Sequence, residues 1–105
     1  MGRGEVFRLR VPRGAPGREQ REARYAVVVH ADELLALSTV LVSPTSTAAP
    51  ARSFRPTIDL RGATTRVPVE QTTAVSVDRL GESFGRLSAS ELRDLDAALS
   101  LVFGL

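Results

Sequence analysis

At 105 residues, with 43% hydrophobic and 25% charged side chains, the chain has room for one modest core and not for two. Cysteine is absent, which excludes disulfides, a thiolate nucleophile and a cysteine-based zinc site. The net charge of +2 is unevenly spread: residues 1–30 hold seven Arg against three Glu, residues 31–66 four Arg against three acids, and residues 67–105 three Arg against six acids. All 14 basic residues are arginine, and a basic N-terminal portion fits an anionic partner.

In chain order, Phe7, Leu9 and Val11 alternate with Arg8 and Arg10, the period of a half-buried strand with an arginine face. Residues 12–23, "PRGAPGREQREA", have no period and read as a long loop, which a small domain keeps for function or leaves disordered. "RYAVVVH" (24–30) is apolar enough for a central strand, and "ADELLALS" (31–38) reads as a short helical turn or a loop. "TVLVS" (39–43) is the next strand, followed by "PTSTAAPA". Residues 53–60 read as an edge strand, because Pro56 cannot donate to a ladder. "RGATT" reads as a turn, "RVPVEQ" and "TTAVSVD" as strands, "RLGES" as a turn and "FGRL" as a short last strand.

The C-terminal segment carries the clearest local code. Ser88 and Glu91 match the S-x-x-E capping box, and Leu87 with Leu92 match the hydrophobic staple. Leu92, Leu95, Leu99 and Val102 then recur at helical spacing, and Gly104 stands where a C-terminal cap belongs. A helix over 88–103 is expected, with the apolar end "LSLVFGL" packing mostly onto its own domain. The whole reads as a single domain over residues 1–105, a small, mostly antiparallel β-barrel closed by one helix. No apolar run is long enough for a membrane span and the N-terminus has no apolar signal region, so a soluble cytoplasmic protein is expected.

The residue inventory narrows the chemistry. His30 is the one histidine, so a two-histidine acid–base mechanism is excluded, and the acids are too scattered to suggest a metal site. No G-x-x-x-x-G-K or G-x-G-x-x-G loop is present. What remains is arginine, glutamate, threonine, serine and glutamine, a set that can bind and polarise a phosphate. Such a set also permits RNA cleavage by the RNA's own 2′-hydroxyl. Arg8, Arg10, Arg52 and Arg55 are read individually as solvated strand faces, with phosphate contact as the alternative.

"GREQREARYAVVV" (17–29) resembles the signature of the MazF/PemK family of toxin endoribonucleases, a G-x-E-Q-x-x-x-R-P segment leading into an apolar strand. Gly17, Glu19, Gln20 and Arg24 stand at the family spacing. "GEVFRL" (4–9), "VLVSPTST" (40–47), "VPVEQTTAVSVDRLG" (67–81) and the capped helix follow in the family's order. The resemblance implies an SH3-like, CcdB/PemK-type barrel of about five to seven strands. It also implies a type II toxin that cleaves single-stranded mRNA, rRNA or tRNA sequence-specifically and without a metal or cofactor, leaving 2′,3′-cyclic phosphate and 5′-hydroxyl ends. Arg24 and Thr45 correspond to the family's catalytic arginine and threonine, and Glu19 to an acidic loop position that is the candidate catalytic proton acceptor. Gln20, Ser46, Thr47, Glu70 and Gln71 correspond to RNA-groove positions. The implied partners are the RNA, a MazE-like antitoxin and a second copy of the chain, with DNA reached only through the antitoxin and no membrane contact. Two features depart from the family pattern: Tyr25 stands in place of proline after Arg24, and "ADELLALS" is short. The competing readings are a CcdB-like gyrase poison and a decayed RNA-binding barrel. The first acts through a C-terminal Trp-Gly-Ile, whereas this chain ends "LVFGL" and lacks tryptophan.

Overall fold

The computed structural model describes residues 1–10, 24–34 and 38–105. Five strands form one antiparallel sheet: β1 (Glu5–Leu9), β2 (Tyr25–Val28), β3 (Thr39–Pro44), β6 (Thr73–Ser76) and β7 (Leu80–Arg86), in the order β6-β3-β2-β1-β7. A separate hairpin pairs β4 (Thr57–Leu60) with β5 (Ala63–Arg66), and one helix, α1 (Ala89–Phe103), ends the chain. Short 3₁₀ turns occupy Asp32–Leu34, Val69–Gln71 and Val77–Arg79.

The connection from β6 to β7 shows that the sheet is curled. These strands are the two outer edges of a five-stranded sheet, which laid flat would stand about 19 Å apart at ~4.8 Å per strand. Only Val77–Arg79 link them, in a 3₁₀ turn that rises about 2 Å per residue. The sheet therefore wraps around its inner face, where Phe7, Ala26, Val28, Val40, Val42 and Val75 form one buried cluster, with Leu9, Val77 and Leu80 packed against it. The alternate residues of the same strands face outward beneath the hairpin and helix. There Val6, Val27 and Val29 meet Ile58, Leu60, Val67, Val69, Leu95 and Ala98. Because both faces are covered, β2 is an unbroken apolar run instead of an alternating one.

Several elements differ from the sequence expectation. The first strand starts at Glu5 and ends at Leu9, and Val6 is buried on the face opposite Phe7. Val11 and the loop 12–23 lie outside the described residues. The strand expected over 53–60 is shortened to 57–60, beginning just after Pro56. "RGATT" is only half a turn: Arg61 and Gly62 turn the chain, and residues 63–66 pair back along β4. Val69–Gln71 coil into 3₁₀ geometry where a strand was expected. "RLGES" is not a turn but lies mostly in β7, running antiparallel to β1. Gly81 is what lets it do so, because a Cβ there would lie 2.7 Å from the Arg8 carbonyl oxygen. The capped helix is as expected. Ser88 and Glu91 form both halves of the capping box, and Gly104 closes the C-terminus at φ 70°.

The apolar end of α1 does not pack inward as expected. Leu95 and Ala98 are buried, yet Leu101, Val102, Phe103 and Leu105 are exposed, because helical geometry turns only one stripe onto the barrel. Among the described residues, no helix is long and apolar enough to cross a membrane.

Candidate functional site

Antiparallel pairing of β2 with β3 sets the site. Ala26 stands opposite Pro44, so the start of β2 and the end of β3 meet at one rim of the barrel. Arg24 precedes β2 and Thr45 follows β3. The Thr45 amide donates to the Tyr25 carbonyl at 3.0 Å, and the Arg24 carbonyl accepts the Leu9 amide at 2.8 Å. Both residues are thereby tied to the sheet by their backbones, leaving their side chains at the rim. The β4–β5 hairpin forms the opposite wall. Its attachment to the end of β3 is a pair of backbone hydrogen bonds between Ser46 and Arg66, each 2.9 Å.

Between these walls lies an open cleft of about 570 Å³. The barrel side supplies Leu9, Arg24, Tyr25 and the run Pro44–Thr47; the hairpin side supplies Leu60, Arg61, Ala63 and Thr65. Among the described residues its lining holds two arginines, a phenol and several hydroxyls, and no carboxylate. Among the described residues neither Arg24 nor Arg61 makes an ion pair. Two guanidiniums in one concave surface favour a polyanion, and each offers a planar fork that matches phosphate oxygens.

The hydroxyls differ in what they have left to offer. Thr45 Oγ1 donates to the Tyr25 carbonyl at 3.0 Å, so in this geometry it presents lone pairs to the cleft. It therefore accepts a hydrogen bond as it stands, and must rotate off that carbonyl to donate one. Ser46 Oγ accepts from the amides of Ala48 and Ala49 at 3.2 and 3.0 Å, which shapes the turn after β3 and leaves its own proton available. Thr47 is exposed on the cleft wall.

The sequence-expected site residues thus divide. Arg24, Thr45, Ser46 and Thr47 are brought together. Glu19 and Gln20 lie outside the described residues. Glu70 and Gln71 are not in the cleft lining: they sit on the 3₁₀ turn before β6, and Glu70 is occupied by Arg55, whose Nε donates to it at 2.9 Å. That guanidinium holds the Glu70 carboxyl below the usual carboxylate range. Sequence reading passed over Arg61, which "RGATT" presented as ordinary turn composition. Its signal was the Arg-Gly pair at the tip of a two-residue hairpin, where small residues are the norm.

Other polar features serve the fold. His30 is buried with its Nδ1 accepting from the Leu41 amide at 3.5 Å, and Ser43 reaches Thr72 at 2.6 Å. Arg3 bridges α1 and the barrel, pairing with Asp96 at 2.6 Å while its Nε donates to the Val29 carbonyl at 2.9 Å. No group of three potential metal ligands occurs among the described residues.

Comparison with known proteins places this arrangement in a family. A family profile described as the PemK-like, MazF-like toxin of type II toxin–antitoxin systems matches residues 2–103. A Mycobacterium tuberculosis protein designated a toxin, Rv3098A, is 33% identical over 104 residues, covering 98% of this chain and 97% of its own. Endoribonuclease MazF9 of the same organism is 35% identical over 112 residues, covering 96% of this chain and 94% of its own. Among solved structures, a mycobacterial endoribonuclease in complex with its cognate antitoxin superposes with a TM-score of 0.82 at 18% identity, over 100% of this chain and 96% of that one.

Proposed function

The chain belongs to the PemK-like, MazF-like toxins of type II toxin–antitoxin systems, and from that membership and the cleft we propose that it is an endoribonuclease acting on single-stranded RNA. The observation that carries the reading is a cleft whose described lining gathers Arg24, Arg61 and a row of hydroxyls, with neither arginine in an ion pair among the described residues. A phosphodiester backbone fits that surface, and a 35%-identical relative is named an endoribonuclease. The gyrase-poison alternative has no comparable support: it leaves the cleft unexplained.

The reaction is intramolecular transesterification. A ribose 2′-oxygen attacks the adjacent phosphorus, the P–O5′ bond breaks, and the products carry a 2′,3′-cyclic phosphate and a 5′-hydroxyl. Arg24 lies against the phosphoryl oxygens, where negative charge grows towards the transition state, so its attraction strengthens along the reaction coordinate. Thr45 binds the same phosphate once its proton leaves the Tyr25 carbonyl, while Ser46 and Thr47 hydrogen-bond the flanking strand. A guanidinium with a pKa above about 12 does not take the 2′-proton. That role is assigned to Glu19 by its chemistry, with Gln20 as an RNA contact on the same segment. RNA contact is assigned to the cleft set in preference to Glu70 and Gln71, since Glu70 is already engaged by Arg55.

Cleavage is expected to proceed in the cytoplasm, without a metal or cofactor, and to be blocked by a cognate antitoxin covering the cleft. The exposed apolar end of α1, Leu101 to Leu105, is assigned to a second copy of the chain. The test is incubation of purified protein with a long single-stranded RNA, with and without chelator, followed by mapping of the ends. Chelator-resistant cuts with 5′-hydroxyl and cyclic phosphate termini are expected. Loss of cleavage on chelation, or relaxation of DNA supercoiling control without any RNA cut, overturns the reading.

A further inference from the structure

We propose that Arg61, held in place by Tyr25 and Phe84, is a second phosphate-binding residue that grips the RNA phosphate next to the scissile one. This rests on the cleft being the RNA site.

The first observation is conformational. The β4–β5 hairpin closes in two residues, Arg61 and Gly62, between Leu60 and its partner Ala63. Both have positive φ, 55° and 82°. Such turns favour Gly, which has no Cβ to crowd the backbone at positive φ, or Asn and Asp, whose short side chains offset the strain by local hydrogen bonds; arginine does neither. Arg61 is the one non-glycine with positive φ among the described residues. A strained residue retained beside a binding cleft points to a use for its side chain.

The second observation is how that side chain is held. Its Nη1 donates to the Tyr25 phenol oxygen at 3.0 Å. Its guanidinium carbon lies 5.1 Å from the Phe84 ring centroid, a cation–π distance. Tyr25 and Phe84 brace one another edge to face, with ring centroids 5.1 Å apart and planes at 84°. An exposed arginine usually samples many rotamers; this one is fixed from two sides and stands in the cleft wall. One N–H is spent on Tyr25, so four of its five remain for a ligand. No carboxylate pairs with it among the described residues.

The third observation is placement. Arg24 and Arg61 line the same cleft, Arg24 from the start of β2 and Arg61 from the tip of the hairpin, its guanidinium resting on Tyr25 and Phe84. A strand of RNA carries its phosphates in sequence, so two charges presented in one cleft by separate elements suit two successive phosphates. Tyr25, which stands where the family signature has proline, acts through Arg61 as a positioning residue.

The test is a binding scan with single-stranded oligoribonucleotides made uncleavable by 2′-deoxyribose at the mapped cut. One phosphodiester at a time is replaced by a neutral methylphosphonate. Wild type should lose affinity at the scissile phosphate and at one neighbour. Arg61→Asn keeps the turn, since Asn-Gly suits this geometry, so circular dichroism should be unchanged. It should bind the unmodified oligonucleotide about tenfold more weakly, show a salt slope shallower by about 0.7, and be indifferent to neutralisation of the neighbour. Tyr25→Phe should lose part of that sensitivity at the same phosphate. An Arg61→Asn profile identical to wild type overturns the inference while leaving the nuclease reading intact. Failure of wild type to bind any oligonucleotide instead overturns the reading beneath it.

Discussion

Glu91 joins the helix to the hairpin that forms one wall of the cleft, and its removal has a calculable cost. One carboxylate oxygen accepts the Ser88 amide at 2.8 Å, completing the capping box, while the other accepts the Asp59 amide of β4 at 2.7 Å. Partial burial pushes this carboxyl up, but the Ser88 amide, the Asp59 amide and the Ser88 hydroxyl outweigh it, and the net shift is downward from 4.5. Hydrogen bonds to a charged group contribute about 1.5 kcal/mol each at the low end of their range. Glu91→Gln keeps one acceptor and replaces the other by an NH2 that cannot accept, so it loses one of these bonds outright, about 1.5 kcal/mol, and makes the second a weaker neutral one, a net cost of about 2 kcal/mol. In a domain this size that lowers Tm by about 8–16 °C. A group whose folded pKa is depressed stabilises above its unfolded pKa and loses that contribution as pH falls through the folded value. The gap between wild type and Glu91→Gln, followed by circular dichroism melts, should therefore be full near pH 7 and shrink on acidification past the unfolded value of 4.5. Melting within about 2 °C of wild type at neutral pH, or a gap that does not narrow anywhere on acidification, would refute the account.

Arg24→Ala and Thr45→Ala should each abolish RNA cleavage, a loss of at least about a hundredfold in kcat, with melting curves unchanged because both side chains are partly solvent-facing. Arg55→Ala should cost less than about 1 kcal/mol in melts and leave cleavage intact, since its partner Glu70 lies outside the cleft. Gly81→Ala forces a Cβ to 2.7 Å from the Arg8 carbonyl, so β7 must shift from β1 and urea unfolding should show a loss of about 2 kcal/mol. Phe103→Asp should leave the helix intact and halve the mass seen by light scattering if α1 carries the contact between copies.

Where local chemistry determines structure, the sequence was readable. The helix is defined by its cap, its stripe and its terminal glycine, all within 17 residues, and it formed as expected. The run after Tyr25 was readable as central for the same reason, as it needs cover on both faces. What was not readable depended on distant partners. "RLGES" has turn composition, yet the strand is set by the approach of Gly81 to Arg8, more than 70 residues away. "LSLVFGL" looked like interior because hydrophobicity alone does not say which side of a helix meets the barrel. In the cleft, the resemblance brought Arg24 and Thr45 to attention, and strand register explains why they meet. Arg61 escaped because its importance comes from a backbone angle and from two aromatic rings, one about 36 residues upstream and the other 23 downstream.

The cleft is a seam between two substructures. Arg24 and Thr45 are fixed by the ladder of the curled sheet, whereas the backbone of Arg61 belongs to a two-stranded hairpin that would be marginal alone, and its guanidinium must reach Tyr25 and Phe84 from there. That hairpin is held by Ile58 and Leu60 in the outer core, by the Ser46–Arg66 bridge and by Glu91 from the helix. Anything that loosens those attachments alters the separation of the two arginine walls without touching either arginine. A variant such as Glu91→Gln should therefore weaken RNA binding at temperatures well below its own Tm, and do so more at the phosphate assigned to Arg61 than at the scissile one. If its affinity profile matched wild type until global unfolding, the two walls would have to be one rigid body, and the hairpin's separate attachments would not govern the cleft.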